Sequence, residues 1–230
     1  MKKIILCSSS LNKNDVYLLG NYADSVVRMP SWDKVPGGIG YHPDMLGFSR
    51  GNKLWLNDEY YGANSVLFDS LGADIRLCAE PYGKYPDDVR FNAFNLGDTL
   101  FGRADSIAAE LKADFASIVN LRQGYSKCST AVFGNSVITS DHGIARVVAE
   151  YGADVLYVDP GTIVLEGYGY GFIGGALVCV SDDTLVSFGD IRCHEQGEEV
   201  LNFAAERGFK IVGCGSAPIC DYGGILVLYV

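Results

Sequence analysis

The chain has 230 residues, 48% of them hydrophobic, and a mean hydropathy of +0.13, so it is long enough to bury a full core and too apolar to stay disordered. Its formal charge of −10 and pI near 4.7 leave no Lys/Arg cluster to neutralise phosphates, which argues against nucleic acid and suits a small cation, or simply solubility. Seven cysteines, an odd count with no CxxC pair and no zinc spacing, read as reduced thiols, and no disulfide framework, metal or cofactor is expected.

The opening MKKIILCSSS has an apolar run of about four residues, short of the roughly 7 to 15 of a signal peptide. It also lacks the small residue expected immediately before a lipidated Cys7. No stretch approaches the roughly 18 apolar residues of a membrane span, so a cytoplasmic protein without membrane contact is expected.

In chain order, residues 2–6 read as a strand, followed by a helix carrying Val16, Leu19 and Tyr22 and a strand over 25–29. The long Gly/Pro-rich loop PSWDKVPGGIGYHPDMLGFSRG leads into a strand over 45–48; loops of that length in compact domains are often functional. The turn Gly51-Asn52, the strand KLWL, a helix over 60–71 with Val66, Leu67 and Leu71 inward, and a strand over 75–78 follow. After GKYPDDVRFNAFNLGD come the strand TLFG and a helix over 106–112.

The clearest stretch is QGYSKCSTAVFGNSVITSDHGIARVVAEYGADVLYV. It reads as a strand over 127–133, a tight turn at Gly134-Asn135, and a returning strand over 136–139. Ser140 or Asp141 is placed as an N-cap, before a helix with Ile144, Val147, Val148 and Tyr151 on one face and a strand over 154–158. That is a ββαβ unit. The next segment, PGTIVLEGYGYGFIGGALVCVSDD, adds an extra strand over 162–165 before the turn Asp182-Asp183, the strand TLVSF and a helix over 195–207.

The turn recurs at Gly51-Asn52, Gly97-Asp98, Gly134-Asn135 and Asp182-Asp183. The helix-to-strand join recurs around Ala23, Ala73, Ala113, Ala153 and Phe209, at a period of about 40 to 56 residues. Five units result, one of them split between residues 224–230 and residues 2–28. The expected fold is α/β: one domain over 1–230, with five ββαβ units in a closed pseudo-fivefold ring sealed by the two termini.

In such a ring the starts of the five first strands converge on the axis. They are His42-Pro43-Asp44, Arg90-Phe91-Asn92, Tyr125 to Cys128, Phe172 to Gly175, and Asp221 to Gly223. His42 beside a carboxylate can act as an acid/base group, and Lys127 next to Cys128 supplies a cation that favours the thiolate. Together these residues would make a nucleophilic site. The alternative for Cys128 is a small buried packing residue, and for His42 a turn histidine.

His-Pro-Asp also marks co-chaperone J-domains, where it joins two helices, but no flanking helix is expected here. His142 and His194 read as solvated helix-start residues. Cys7, Cys78, Cys179, Cys193 and Cys214 read as packing beside apolar strands. Glycines 167, 169, 171, 174 and 175 admit a ligand or relieve crowding at the axis, and their spacing is no nucleotide fingerprint.

Five ββαβ units in a ring resemble the pentein, or β/α propeller, fold of the guanidino-group-modifying enzymes: arginine and agmatine deiminases, dimethylarginine hydrolases and amidinotransferases. Within it, HPDM, QGYSKCS, YGYGFIGG, FGDI and CDYGGI resemble a bacterial family of uncharacterised function. The resemblance implies a catalytic Cys at the start of the last unit and a His at the start of the unit before it. Here those places hold Gly223 or Gly224 and Gly174 or Gly175, with Cys220 a few residues upstream, so the triad does not carry over.

Two readings follow. The first is a Cys-dependent hydrolase of a small guanidine, amidine or amide compound. Cys128 is its nucleophile, His42 its acid/base group and Asp44 or Asp221 the orienting carboxylate; Lys127, Tyr125, Gln123, Asn92, Glu166 and Phe172 bind substrate, with aromatic faces from Tyr168, Tyr170 and Tyr222. The second is a non-catalytic member of the fold that binds a ligand or partner at the same pocket.

Overall fold

The structure is a computed structural model that describes residues 1–35, 37–215 and 217–230; Pro36, in the long loop, lies outside the described residues. The chain begins with β1 (Lys3–Ser8), α1 (Lys13–Gly20) and β2 (Ser25–Met29), then α2 (Pro43–Leu46), β3 (Gly47–Arg50), β4 (Lys53–Asn57), α3 (Asp58–Ala63), α4 (Ser65–Asp69) and β5 (Asp74–Cys78). It continues with β6 (Phe94–Leu96), β7 (Thr99–Gly102), α5 (Ala109–Lys112) and β8 (Ser117–Asn120), then β9 (Thr130–Phe133), β10 (Ser136–Thr139), α6 (His142–Glu150) and β11 (Asp154–Tyr157). The remainder is α7 (Ile173–Ala176), β12 (Leu177–Ser181), β13 (Thr184–Ser187), α8 (Gly197–Ala205), β14 (Lys210–Gly213) and β15 (Ile225–Tyr229).

These strands form five three-stranded sheets. In each, the middle strand pairs antiparallel with one neighbour and parallel with the other, which is the ββαβ pattern. The split unit is real: β15 pairs antiparallel with β1 from Lys3↔Tyr229 to Cys7↔Ile225, while β2 pairs parallel on the other side. The hairpin turns at Gly51, Gly97 and Gly134 have positive φ, the conformation a tight two-residue turn demands.

Each apolar cluster bridges two sheets. Leu6 and Leu228 meet Leu54 and Leu56; Phe48 and Trp55 meet Phe91 and Leu100; Phe94 and Phe101 meet Val137; Phe133 and Ile138 meet Leu177 and Leu185; Val178 and Val186 meet Ile5 and Cys7. The first strands lie inward, with β15 against β3 and β9 against both β6 and β12. The last strands, β2, β5, β8, β11 and β14, are unpaired on their outer side and only partly covered.

Several local expectations are corrected. The strand expected over 45–48 begins at Gly47, because Pro43–Leu46 closes a helical turn whose Met45 and Leu46 N–H groups donate to the His42 carbonyl. The strand expected over 127–133 begins at Thr130 for a related reason. Ser129 N–H reaches the Tyr125 carbonyl, and the hydroxyls of Ser126 and Ser129 bond the carbonyls of Gln123 and Tyr125, which winds the segment into a turn.

The helix expected over 60–71 breaks at Asn64, whose side chain donates to the Tyr60 carbonyl. The break changes the helical phase, so Val66 is 87% exposed and Phe68 is buried instead. The extra strand over 162–165 reduces to one bridge, Val164↔Cys220. The helices expected over 106–112 and 195–207 shorten to Ala109–Lys112 and Gly197–Ala205. Asp141, not Ser140, is the N-cap, accepting from Ile144 N–H at 2.8 Å.

The pairing of β15 with β1 makes a direct prediction. Truncation after Gly223 should abolish the cooperative melting transition followed by circular dichroism. Leu228→Ala, at a fully buried β15 position, should cost about 2 to 5 kcal/mol in urea unfolding. A truncated chain that still melts cooperatively would refute the closing role of β15.

Candidate active site

Three turns from distant parts of the chain meet beside the inner strands. The turn at α2 presents His42 as its N-cap residue and Asp44 one position after Pro43. The turn before β9 presents Cys128, and the lead-in to β15 presents Asp221. Backbone bonds tie the three together: Asp44 N–H donates to Gly223 O at 3.2 Å, Gly174 N–H to Cys128 O at 2.8 Å, and Gly224 N–H to Gly175 O at 3.0 Å. Only glycine permits this approach. A Cβ on Gly175 would stand 1.8 Å from Asp221 Oδ1, and one on Gly223, at φ 71°, 2.3 Å from His42 Cβ.

Cys128 Sγ donates to Asp44 Oδ2 at 2.9 Å, and a ligating atom of His42 lies with both inside 4.8 Å. All three residues are buried. Asn92 brackets the cysteine: its Oδ1 accepts from the N–H groups of Lys127 (2.8 Å) and Cys128 (3.2 Å), and its Nδ2 points at Cys128 Sγ at 3.0 Å. Asp221 accepts from Gly223 N–H and Phe172 N–H, each at 2.9 Å, and its Oδ1 stands 3.8 Å from His42 Nδ1.

Above this group opens a cavity of about 300 Å³ lined by Ile39, His42, Tyr125, Cys128, Leu165, Tyr168, Gly169, Tyr170, Phe172 and Asp221. Asp44 and Lys127 line a second cavity, about 170 Å³, together with Phe91 and Leu226.

The electrostatics follow from burial. Desolvation, then the Asp221 charge, pushes Asp44 up to about 7, against the Cys128 hydrogen bond and Lys127. Desolvation raises Asp221 to about 6 and lowers His42 to about 3, so the imidazole is neutral. Burial and the two carboxylates push the Cys128 thiol well up. The expectation that Lys127 favours a thiolate is therefore corrected. Its ammonium turns to the carbonyls of Thr130 (3.2 Å) and Gly174 (3.1 Å), and burial lowers its own pKa.

Of the residues singled out in the sequence, Cys128, His42, Asp221, Tyr125, Phe172, Tyr168 and Tyr170 line the main cavity. Asp44 bonds Cys128 from behind, Lys127 faces the second cavity, and Asn92 is fully buried behind the cysteine. Gln123 accepts from Tyr125 N–H and reaches Asp141, Glu166 is exposed, and Tyr222 packs on Phe188; none of the three lines the cavity.

His194 is corrected from solvated to buried, held by Asp159 O and Gln196 N–H at 3.0 Å each. His142 is exposed and stacks on Tyr157. Cys193 is exposed rather than packed. Two groups escaped the sequence reading. Asp88 accepts from the Tyr125 hydroxyl at 2.8 Å, and Tyr41 packs edge-on to His42; the acidic pair in GKYPDDVRF and the aromatic before His42 were the available signals.

A family described as "Family of unknown function (DUF6873)" matches residues 6–226. No curated protein matches the sequence. Among solved structures the chain is similar to agmatine deiminase from C. jejuni (9% identity, TM-score 0.57, 92% of this chain and 86% of that one). It is also similar to an amidinotransferase from Microseira wollei in the saxitoxin biosynthetic pathway (10%, 0.55, 93% and 88%). A third is dimethylarginine dimethylaminohydrolase from Pseudomonas aeruginosa, complexed with citrulline (12%, 0.51, 93% and 92%). All are pentein-fold enzymes, and the chain shares that fold.

The buried carboxyl makes a signed prediction. Asp44 has a folded-state pKa above its unfolded one, so its contribution is fully present below pH 3.8 and is lost as pH rises through about 7. The whole displacement is worth roughly 4 kcal/mol at about 1.4 kcal/mol per unit. Asp221 acts in the same direction, its contribution lost by the time pH has risen through about 6. His42 acts oppositely, its contribution complete above pH 6.5 and lost as pH falls through about 3. Between about pH 6.5 and 8 the Asp44 carboxyl dominates, so stability should fall by about 1 kcal/mol in urea titrations. Asp44→Asn should flatten that slope and be the more stable protein at the alkaline end; an unchanged slope would refute the assignment.

Proposed function

The chain belongs to the family of unknown function whose match spans residues 6–226, and from that premise we propose a Cys-dependent enzyme acting on a small guanidine, amidine or amide compound. The observation that carries the proposal is the 2.9 Å bond from Cys128 Sγ to Asp44 Oδ2, with neutral His42 alongside, beneath an aromatic-walled cavity. We read the five units as a closed pseudo-fivefold ring forming one domain; the five apolar clusters linking successive sheets support this.

In this reading Cys128 is the nucleophile. A thiol whose pKa is pushed well up is inert in the empty site, so activation has to come with the substrate. A guanidinium arriving above Cys128, flanked by Tyr125, Tyr168, Tyr170 and Phe172, brings the positive charge the cavity lacks and lowers the thiol pKa. The thiol proton passes to Asp44 and Sγ adds to the amidine carbon. The nitrogen leaving group departs with that proton. Water, giving a proton to His42, then adds to the same carbon; the C–S bond breaks, and His42 returns the proton to sulfur. Asp221 faces His42 at 3.8 Å and holds the cavity wall through Phe172 N–H, and Asn92 holds the cysteine turn.

One observation favours the non-catalytic reading: burial keeps the thiol protonated. The two readings separate experimentally. A panel of arginine, agmatine and simpler amidines should raise Tm, a ligand at about 100 times its Kd adding roughly 2.7 kcal/mol. It should also yield a Cys128 adduct or a nitrogen leaving group that Cys128→Ser abolishes. Asp44→Asn should alkylate faster with iodoacetamide near neutral pH, since a charge that raises the thiol pKa is gone, yet turn over more slowly. Ligand-induced stabilisation without adduct or product would establish a binder, and no effect of any amidine would refute the substrate class.

A further inference from the structure

Three buried polar atoms in the site have no hydrogen-bond partner among the described residues: both ring nitrogens of His42 and Oδ1 of Asp44. His42 and Asp44 are 1% and 2% exposed, so these atoms have lost water without replacement, a cost of about 1 to 3 kcal/mol for each such group. Both residues belong to a cluster with Cys128 in which one ligating atom from each of the three lies within 4.8 Å of the others. An unbonded neutral imidazole, a carboxylate with a spare oxygen and a thiol are the three donor types that zinc takes. One sulfur and one nitrogen among three donors disfavour magnesium and calcium, which require oxygen shells.

We propose that His42, Asp44 and Cys128 form a binding site for one divalent ion of the zinc class, and that bound metal and the covalent chemistry of Cys128 exclude each other. His42 and Cys128 line the cavity that Tyr125 and Phe172 also line, so a fourth ligand would reach the ion from that cavity. Binding displaces the thiol proton to solvent, and the two positive charges offset the thiolate and the Asp44 carboxylate. No metal-ligand spacing marks these residues in the sequence, because Asp44 and Cys128 fall 84 residues apart. The exclusion rests on Cys128 being the nucleophile; the metal site does not.

Chelator-treated protein titrated with cobalt(II) should develop a thiolate-to-metal charge-transfer band in the near ultraviolet that saturates at one equivalent and is displaced by zinc. Cys128→Ser should lose the band, and its zinc affinity, read against a chromophoric chelator, should fall by more than the roughly 100-fold that loss of a supporting residue costs. His42→Ala should weaken zinc binding while retaining the band, so the test does not hang on one variant folding. Cys193→Ser/Cys214→Ser/Cys220→Ser should match the parent protein. Absence of the band, its persistence in Cys128→Ser or its loss in the triple variant would overturn the site.

Iodoacetamide labelling of Cys128 tests the second half. Where Cys128 of the metal-free protein labels with an amidine present, protection by zinc supports exclusion, and equal labelling with and without zinc overturns it. A metal-free Cys128 that resists labelling even with an amidine present overturns the nucleophile and the exclusion together, while the cobalt band still decides the metal site.

Discussion

The antiparallel pairing of β15 with β1 governs both the architecture and the site. It fixes the path of the chain immediately before β15, and that path carries Asp221 and Gly223 onto the α2 turn and onto Gly175. His42 is thereby covered from one side by residues more than 170 positions away, its Cβ against Gly223 and its ring toward Asp221. Loss of this strand would expose the edge of β1 and uncover the histidine at the same time. Fold stability and the dryness of the site therefore share one cause.

Dryness, in turn, sets the chemistry. Placed in water, Asp44 would be ionised and Cys128 would titrate near its ordinary value; buried together, both retain protons more strongly. The glycines at 175 and 223 leave room for this group, since a side chain on either would collide with Asp221 or His42. The imidazole and the thiol beside it come from the turns before β3 and β9. Five similar sheets each offer a strand start that can carry polar groups, so a shift of chemistry from one to another needs no change of fold.

The repeat was legible because turn glycines and helix-to-strand joins mark each unit regardless of packing, and the convergence of His42, Asp44, Cys128 and Asp221 followed from it. The helical turns in front of β3 and β12 were not legible. HPDML and FIGGA are short apolar runs whose periodicity suits a strand or a helical turn equally. The turn before β9, wound by Ser126 and Ser129, hid the direction of Lys127 in the same way. Adjacent residues on a turn point in different directions, so Lys127 faces the second cavity while Cys128 faces Asp44. Gln123 and Glu166 were grouped with the site by proximity in sequence alone. His194 needed tertiary knowledge, since its burial is created by Asp159 and Gln196 rather than by anything beside it in an apolar pattern.

Among the described residues, the inward placement of the first strand of each sheet leaves β2, β5, β8, β11 and β14 with one unpaired edge apiece. A single molecule thus carries five templates on which another chain could add a strand. Each is only four or five residues long. Several are guarded by charge: Asp74 pairs with Arg76 on β5, Asp154 with Arg207 at β11, and Lys210 with Asp183 at β14. β8 is the least protected, its SIVN sequence exposing Ile118 without a charged residue in the strand. Self-association at high salt, where the other edges lose their electrostatic guard, should therefore start from β8.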